Sequence, residues 1–375
     1  MQNINMVDLE GQFLKIEKEV MDGIRSVISS STFIQGPAVK AFEKNLAAHL
    51  NVAHCIACAN GTDALQIAMM ALDLKPGDEI IVPSFTYIAS VEAAVLLGIK
   101  TVFVEVNEST FNIDETQIEK AITPKTKAIL VVHLYGQSAP MESILATAKK
   151  HALFVIEDNA QAINATYTFS NGTTAKTGCM GDIGTTSFFP SKNLGCYGDG
   201  GALLTNHVVL AEKIKMIANH GQKEKYHHDL IGVNSRLDSL QAAVLNIKLK
   251  QLDTYTNTRQ EAALLYDSLL KTVKEIEIPV RAPYSTHVFH QYTLKVSNRS
   301  GLQAYLKEKG IPTMVYYPLP THLQKGYQNL GYRKGDLPVS ESLCEKVLSL
   351  PIHSESKREE ITYICEAIIN FYQHG

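Results

Sequence analysis

The sequence predicts an α/β fold: a large domain built on a mostly parallel sheet over residues 1–250, then a smaller C-terminal α+β domain over 251–375. Two observations carry this. Apolar, β-rich runs alternate with helical patterns through the first part of the chain, as parallel strands covered by helices require. From Leu237 the pattern changes. Leu237, Leu240, Val244, Leu245, Leu249 and Leu252 recur at helical spacing, so a long helix leads out of the first domain into a region with fewer strands and more turns.

In order along the chain, HCIAC places Cys55 and Cys58 as small apolar residues on a buried strand, and TDALQIAMMAL (62–72) reads as a helix. EIIVPS (79–84) is a strand, ASVEAAVLLG (89–98) a helix, TVFVEV (101–106) and AILVVHLYG (128–136) strands, and MESILATAKKH (141–151) a helix. FVIEDNA (154–160), TTSFFP (185–190) and GALLT (201–205) complete the first set of strands. Beyond the long helix, HQYTLKV (290–296) and TMVYYP (313–318) read as strands and GLQAYLKEKG (301–310) as a helix.

Composition excludes several classes. With 45 % hydrophobic and 19 % charged residues and a formal charge of −3, the chain has no field to attract nucleic acid or an anionic membrane. Its apolar runs, such as Ile67 to Leu72, are too short to span a bilayer, and MQNINMVDLEGQF lacks the basic and apolar regions of a signal peptide. Six cysteines in 375 residues make no disulfide framework, and the Cys55/Cys58 pair has no second pair at zinc spacing, so no metal is expected and the cytoplasm is the expected compartment.

Ligands on such sheets bind beyond the carboxyl ends of the strands, and four stretches fall there. In CANGTDAL (58–65), Gly61 and Thr62 sit where a loop enters a helix, either a turn with an N-cap or a phosphate site. PSFTYIAS (83–90) puts Phe85 and Tyr87 at the mouth of the sheet, as core or as a stacking surface. In VIEDNAQAI (155–163), Glu157 and Asp158 end a strand and Gln161 follows; a buried carboxylate there needs a metal, an arginine or a protonated ring nitrogen, or else caps a helix. In TSFFPSKNLGCYGDGGA (186–202), Lys192 follows a strand and precedes a glycine run, where it is a surface lysine or a working one. Together, a lysine, a buried aspartate, an aromatic and a phosphate loop are the parts of a pyridoxal phosphate site. The P-loop and dinucleotide spacings are absent.

These motifs, with MVDLEGQF, HGQ and GVNSRLDSLQAA, resemble the DegT/StrS family of sugar-nucleotide aminotransferases over nearly the whole chain. The resemblance implies the fold-type I aminotransferase architecture and pyridoxal 5'-phosphate as cofactor. Within the family the chain looks closest to enzymes that aminate C3 of UDP-linked 3-keto sugars in O-antigen synthesis. That implies UDP-2-acetamido-2-deoxy-3-oxo-glucuronate as substrate and L-glutamate as donor. Carried over by motif, Lys192 is the Schiff-base lysine and proton shuttle, and Asp158 the partner of the pyridine nitrogen. Gln161 lies beside the phenolic oxygen and Tyr87 on the ring, while Gly61, Thr62 and Ser187 contact phosphate. Asn234 is a phosphate ligand from the second subunit, so the resemblance implies a homodimer with shared sites. Arg236 meets a carboxylate of substrate or donor, or forms a structural ion pair. Tyr316 stands where that branch has histidine, at a position facing the sugar, and Tyr226, His227 and His228 are sugar contacts or exposed loop. Alternatives are a 3- or 4-aminotransferase of a dTDP- or UDP-linked keto-6-deoxy sugar, a dehydratase, against which Lys192 argues, and a non-catalytic binding regulator.

Overall fold

In the computed structural model, which describes residues 4–374, seven strands form one sheet. Their order is His54–Cys58, Gly201–Thr205, Ile183–Ser187, Phe154–Asp158, Thr126–Val132, Glu79–Pro83 and Lys100–Val104. Gly201–Thr205 runs against both its neighbours; the other pairs are parallel. Parallel strands cannot be joined by hairpins, and the helices Gly61–Ala71, Ala89–Leu96, Glu115–Ala121 and Met141–His151 lie in the connections. The sheet is thus the mostly parallel one the alternation predicts. The signal-peptide reading rests in part on Met1–Asn3, which lie outside the described residues.

Side chains of each strand alternate between two cores. Ile80, Val82, Ala128, Leu130 and Ile156 pack on one face, with Leu65 and Ala68 of helix Gly61–Ala71. Ile81, Ile129, Val131 and Val155 pack on the other, with Ile144 and Ala148 of helix Met141–His151. Fully burying one such side chain contributes about 1.5–3 kcal/mol, which fixes the register and with it the face on which each strand-end residue emerges. Cys55 and Cys58 are buried in strand His54–Cys58, on opposite faces, and burial raises both thiol pKa values.

A second sheet of three antiparallel strands, Ile276–Glu277, Tyr292–Val296 and Val347–Leu350, packs on helices Leu252–Leu270, Arg299–Glu308 and Arg358–His374. Three expectations are corrected here. The long helix from Leu237 is two, Ser239–Leu249 and Leu252–Leu270; the Gln251 N–H bonds the Lys248 carbonyl, a tighter turn than an α-helix allows. TMVYYP (313–318) is not a strand: Met314 bridges Ser349 singly, and the chain then turns toward the large sheet, with a cis bond between Tyr316 and Tyr317. The strands read through 136 and 190 end at Val132 and Ser187, because the residues beyond them line the cleft described next or fill the core.

Candidate active site

At the carboxyl ends of the large sheet's parallel strands lies a cleft of about 670 Å³. Its walls bring together Gly61, Thr62, Tyr87, Asp158, Gln161, Ser187, Lys192 and Tyr316, residues spread over 256 positions of sequence. Asn234 and Arg236 do not line it: Asn234 is exposed, and the Arg236 Nε and Nη2 donate to Asn219 Oδ1 at 3.2 and 3.0 Å rather than to a carboxylate. Tyr226, His227 and His228 are exposed on a small hairpin. Phe85 is core, and Tyr87 is 57 % exposed with its ring 6.1 Å from that of Tyr317.

Helix Gly61–Ala71 begins at this cleft. Asn60 caps it, its Oδ1 accepting the Asp63 N–H at 2.8 Å. A side chain on Gly61 would place its Cβ 2.8 Å from Ser187 Cβ; glycine lets the helix N-terminus meet the strand end. The N–H groups left free there, the Thr62 and Ser187 hydroxyls and the helix dipole are groups that could hold an anion.

Lys192 sits in the turn after strand Ile183–Ser187, where its N–H bonds the Phe189 carbonyl at 2.8 Å. The loop that follows is held from behind: the Tyr197 N–H donates to Gln241 Oε1 at 2.8 Å, and the buried Lys248 ammonium lies 4.3 Å from the Tyr197 ring centre. Burial pushes the Lys192 ammonium down to about 8, against the opposing pull of Asp158.

The two carboxylates ending Phe154–Asp158 part company by strand alternation. Asp158 turns into the cleft; its Oδ2 accepts from Ser90 Oγ at 2.7 Å and its Oδ1 from the Ala160 N–H at 3.1 Å. Glu157 turns to the opposite face and is completely buried. It accepts from the N–H groups of Gly178, Met180 and Gly181 at 2.8, 2.6 and 2.6 Å, and from His133 Nε2 at 2.8 Å. His133 Nδ1 accepts from the Ala139 N–H at 3.1 Å, which leaves the ring hydrogen on Nε2. Glu157 is therefore a structural anchor for the 178–181 loop. A Glu157→Gln amide would offer one oxygen and turn its NH₂ on the remaining donors, and His133 cannot reverse its tautomer to receive it. The expected loss is about 2–4 kcal/mol, read as a lower urea midpoint at unchanged slope.

Gln161 is clamped from both sides: its Oε1 accepts the Tyr135 N–H at 2.8 Å and its Nε2 donates to the Tyr317 hydroxyl at 3.0 Å. The Tyr135 hydroxyl donates to the Tyr316 carbonyl. The sequence reading passed over Tyr135, Tyr317, Ser90 and His290. Tyr135 had a signal, since it follows the end of a strand, and it adopts a φ of 58° that a tyrosine rarely takes. The others come from the second sheet's approach or from a helix, and no local pattern marks them. Among the described residues no group of histidine, cysteine and carboxylates could hold a metal, and no helix is long and apolar enough to cross a membrane.

The DegT/DnrJ/EryC1/StrS aminotransferase family matches residues 14–369. The chain is 48 % identical to a Pleiotropic regulatory protein of Geobacillus stearothermophilus, over 99 % of both. It is 45 % identical to the UDP-2-acetamido-2-deoxy-3-oxo-D-glucuronate aminotransferase of Pseudomonas aeruginosa, over 98 % of this chain and all of that one. Among solved structures, DesV of S. venezuelae superposes with a TM-score of 0.96 at 38 % identity, over the whole of both chains.

Proposed function

The chain belongs to the DegT/DnrJ/EryC1/StrS aminotransferase family, which depends on pyridoxal phosphate; from that premise we propose that it aminates C3 of UDP-2-acetamido-2-deoxy-3-oxo-glucuronate, with L-glutamate as donor. The observation that carries the reading is the meeting of Lys192 and Asp158 in one cleft beside an open helix N-terminus. These residues fit the cofactor. Gly61 leaves room that a Cβ would fill, and the Asp158 carboxylate, hydrogen-bonded but held in no ion pair with a protein cation among the described residues, can receive a ring N–H. Gly61, Thr62 and Ser187 would hold the phosphate, Tyr87 the ring face, and Gln161 the phenolic oxygen. When bound, pyridoxal phosphate supplies an electron sink and a carrier for the amino group.

The protein's own part is proton movement and placement. Lys192 takes the Cα proton of glutamate and later delivers a proton to the sugar carbon; a side chain near 8 does both near neutral pH. Asp158 keeps the positive charge on the ring nitrogen. Asn234 and Arg236 serve the cleft of a second copy, so the working unit is a cytoplasmic homodimer. Among the described residues of the cleft wall, Asp63, Glu92, Asp158 and Asp199 are acidic and Lys192 is the one lysine or arginine. A uronate carboxylate thus needs a cation from elsewhere, and Arg236 of the second copy supplies it. Arg236→Ala is expected to raise KM for the uronate by about 10- to 100-fold, the worth of a charged hydrogen bond, and to leave KM for a 6-deoxy keto sugar unchanged.

The test is single-turnover chemistry on the loaded protein: release of 2-oxoglutarate from glutamate, then amination of the UDP-linked 3-keto uronate. Amination of only a dTDP- or UDP-linked keto-6-deoxy sugar would move the substrate and keep the reaction; Tyr316 in the cleft wall is the feature that favours this alternative. The name of the Geobacillus relative raises a second reading, a regulator without turnover. Failure of both half-reactions would favour it.

A further inference from the structure

His290 is buried and lines the same cleft as Lys192. It belongs to the turn that leads into strand Tyr292–Val296, and so reaches the cleft from the second sheet. Its protonation is fixed by a chain of hydrogen bonds that starts beside Lys192. Asn193, the next residue, donates from Nδ2 to the Val288 carbonyl at 3.0 Å. That orients the amide and points Oδ1 at His290 Nδ1, 3.3 Å away. An amide oxygen only accepts, so the ring hydrogen is on Nδ1, and Nε2 carries a lone pair.

A second hydrogen is kept off the ring. The guanidinium of Arg259, buried and without an ion pair among the described residues, donates from Nη1 to the Phe289 and Ile352 carbonyls at 3.0 and 2.9 Å. Burial, and after it the charges of Lys192 and Arg259, act against an added positive charge on His290, so its pKa is held well below the ordinary range. The facing groups are thus two cations, and the Asp158 carboxylate acts on Lys192. The Lys192 ammonium itself donates no hydrogen bond among the described residues.

We infer that His290 is a positioning residue for Lys192: its Nε2 lone pair, facing the same cleft, is the acceptor that the lysine ammonium, which donates to no group among the described residues, takes up by turning its stem when it carries the proton. The inference rests on the role proposed above for Lys192. It involves no proton transfer to His290, which stays an acceptor throughout. The lysine stem has four rotatable carbons, and a fixed acceptor removes much of that freedom at the point where the proton must be delivered.

The direct test is ¹⁵N NMR of the full chain labelled in histidine and free of pyridoxal phosphate, where Lys192 is a free amine. One ring should be neutral with its hydrogen on Nδ1, unchanged from pH 6 to pH 8, and its signals should vanish in His290→Gln. A hydrogen on Nε2, or an imidazolium at pH 6, would overturn the inference. This readout involves no substrate, so a wrong sugar or donor leaves it untouched. In the loaded protein, His290→Leu is expected to lower kcat of the glutamate half-reaction about 10-fold with KM unchanged. His290→Gln, whose amide oxygen can accept, should restore most of it. A change in KM alone, or equal losses in both variants, would show a merely structural role.

Discussion

Lys192→Ala is expected to lose about 10⁴-fold in the glutamate half-reaction, the upper range for a positioned proton-transfer group, while the protein remains at least as stable as wild type. Both halves follow from the same burial. An ammonium withdrawn from water costs free energy unless it is paired; this one is half-buried in the cleft wall, opposed by that burial and helped only by Asp158. With the side chain near 8, about a tenth of the lysine is unprotonated at pH 7, against roughly one in three thousand for a free lysine. The neutral fraction rises with pH, so proton abstraction should climb from pH 6 to about pH 8 and then level. Removing the side chain leaves no hydrogen bond broken, because the one that holds the turn is made by the Lys192 N–H. A thermal melt and a stopped-flow trace of 2-oxoglutarate release on the same preparation check both. A variant that turned over at the wild-type rate would remove Lys192 from the mechanism, and one that melted far below wild type would give it a structural role instead.

How much of this was legible in the sequence depends on how local each cause is. Lys192, Asp158 and Gly61 follow strand ends or begin a helix, and a strand's period of two with a helix's first turn is enough to put them at one edge of a sheet. The helix Met141–His151 was legible to the residue because its apolar positions, Met141, Ile144 and Ala148, repeat at helical spacing and face one core. TMVYYP reads as a strand for a good reason, since it is β-branched and aromatic, yet Tyr316 and Tyr317 are spent on the cleft and on Gln161 rather than on a sheet. His290 reads as the first residue of a strand that in fact begins at Tyr292, and its partner Asn193 lies 97 residues away; only the folded chain brings them together. Glu157 and Asp158 were visible as a pair; the resemblance picks Asp158, but the local pattern alone does not, because which of them faces the cleft is decided by whether Val155 or Ile156 packs under helix Gly61–Ala71.

Asp158→Asn is expected to cut turnover by about 10³-fold, comparable to removing one preorganised electrostatic contact at a reacting centre, with the fold intact. The substitution is close to a pure change of charge. The asparagine Oδ1 can still accept the Ala160 N–H, and Ser90, which now donates to Asp158 at 2.7 Å, can reverse its hydroxyl to receive the new NH₂, with Thr86 Oγ1 3.2 Å away to take the released donor. No buried group is left without a partner, so thermal stability should stay near wild type. The sign of the effect on Lys192 separates two explanations. Asp158 raises the lysine toward its protonated form; Asp158→Asn therefore increases the neutral fraction and, by that route alone, would speed proton abstraction near pH 7. A large loss of rate, together with an acidic limb moved to lower pH, would instead support the role proposed for Asp158, holding positive charge on the cofactor's ring nitrogen. A variant that was faster than wild type at pH 6.5 would show that Asp158 acts on the lysine and not on the ring.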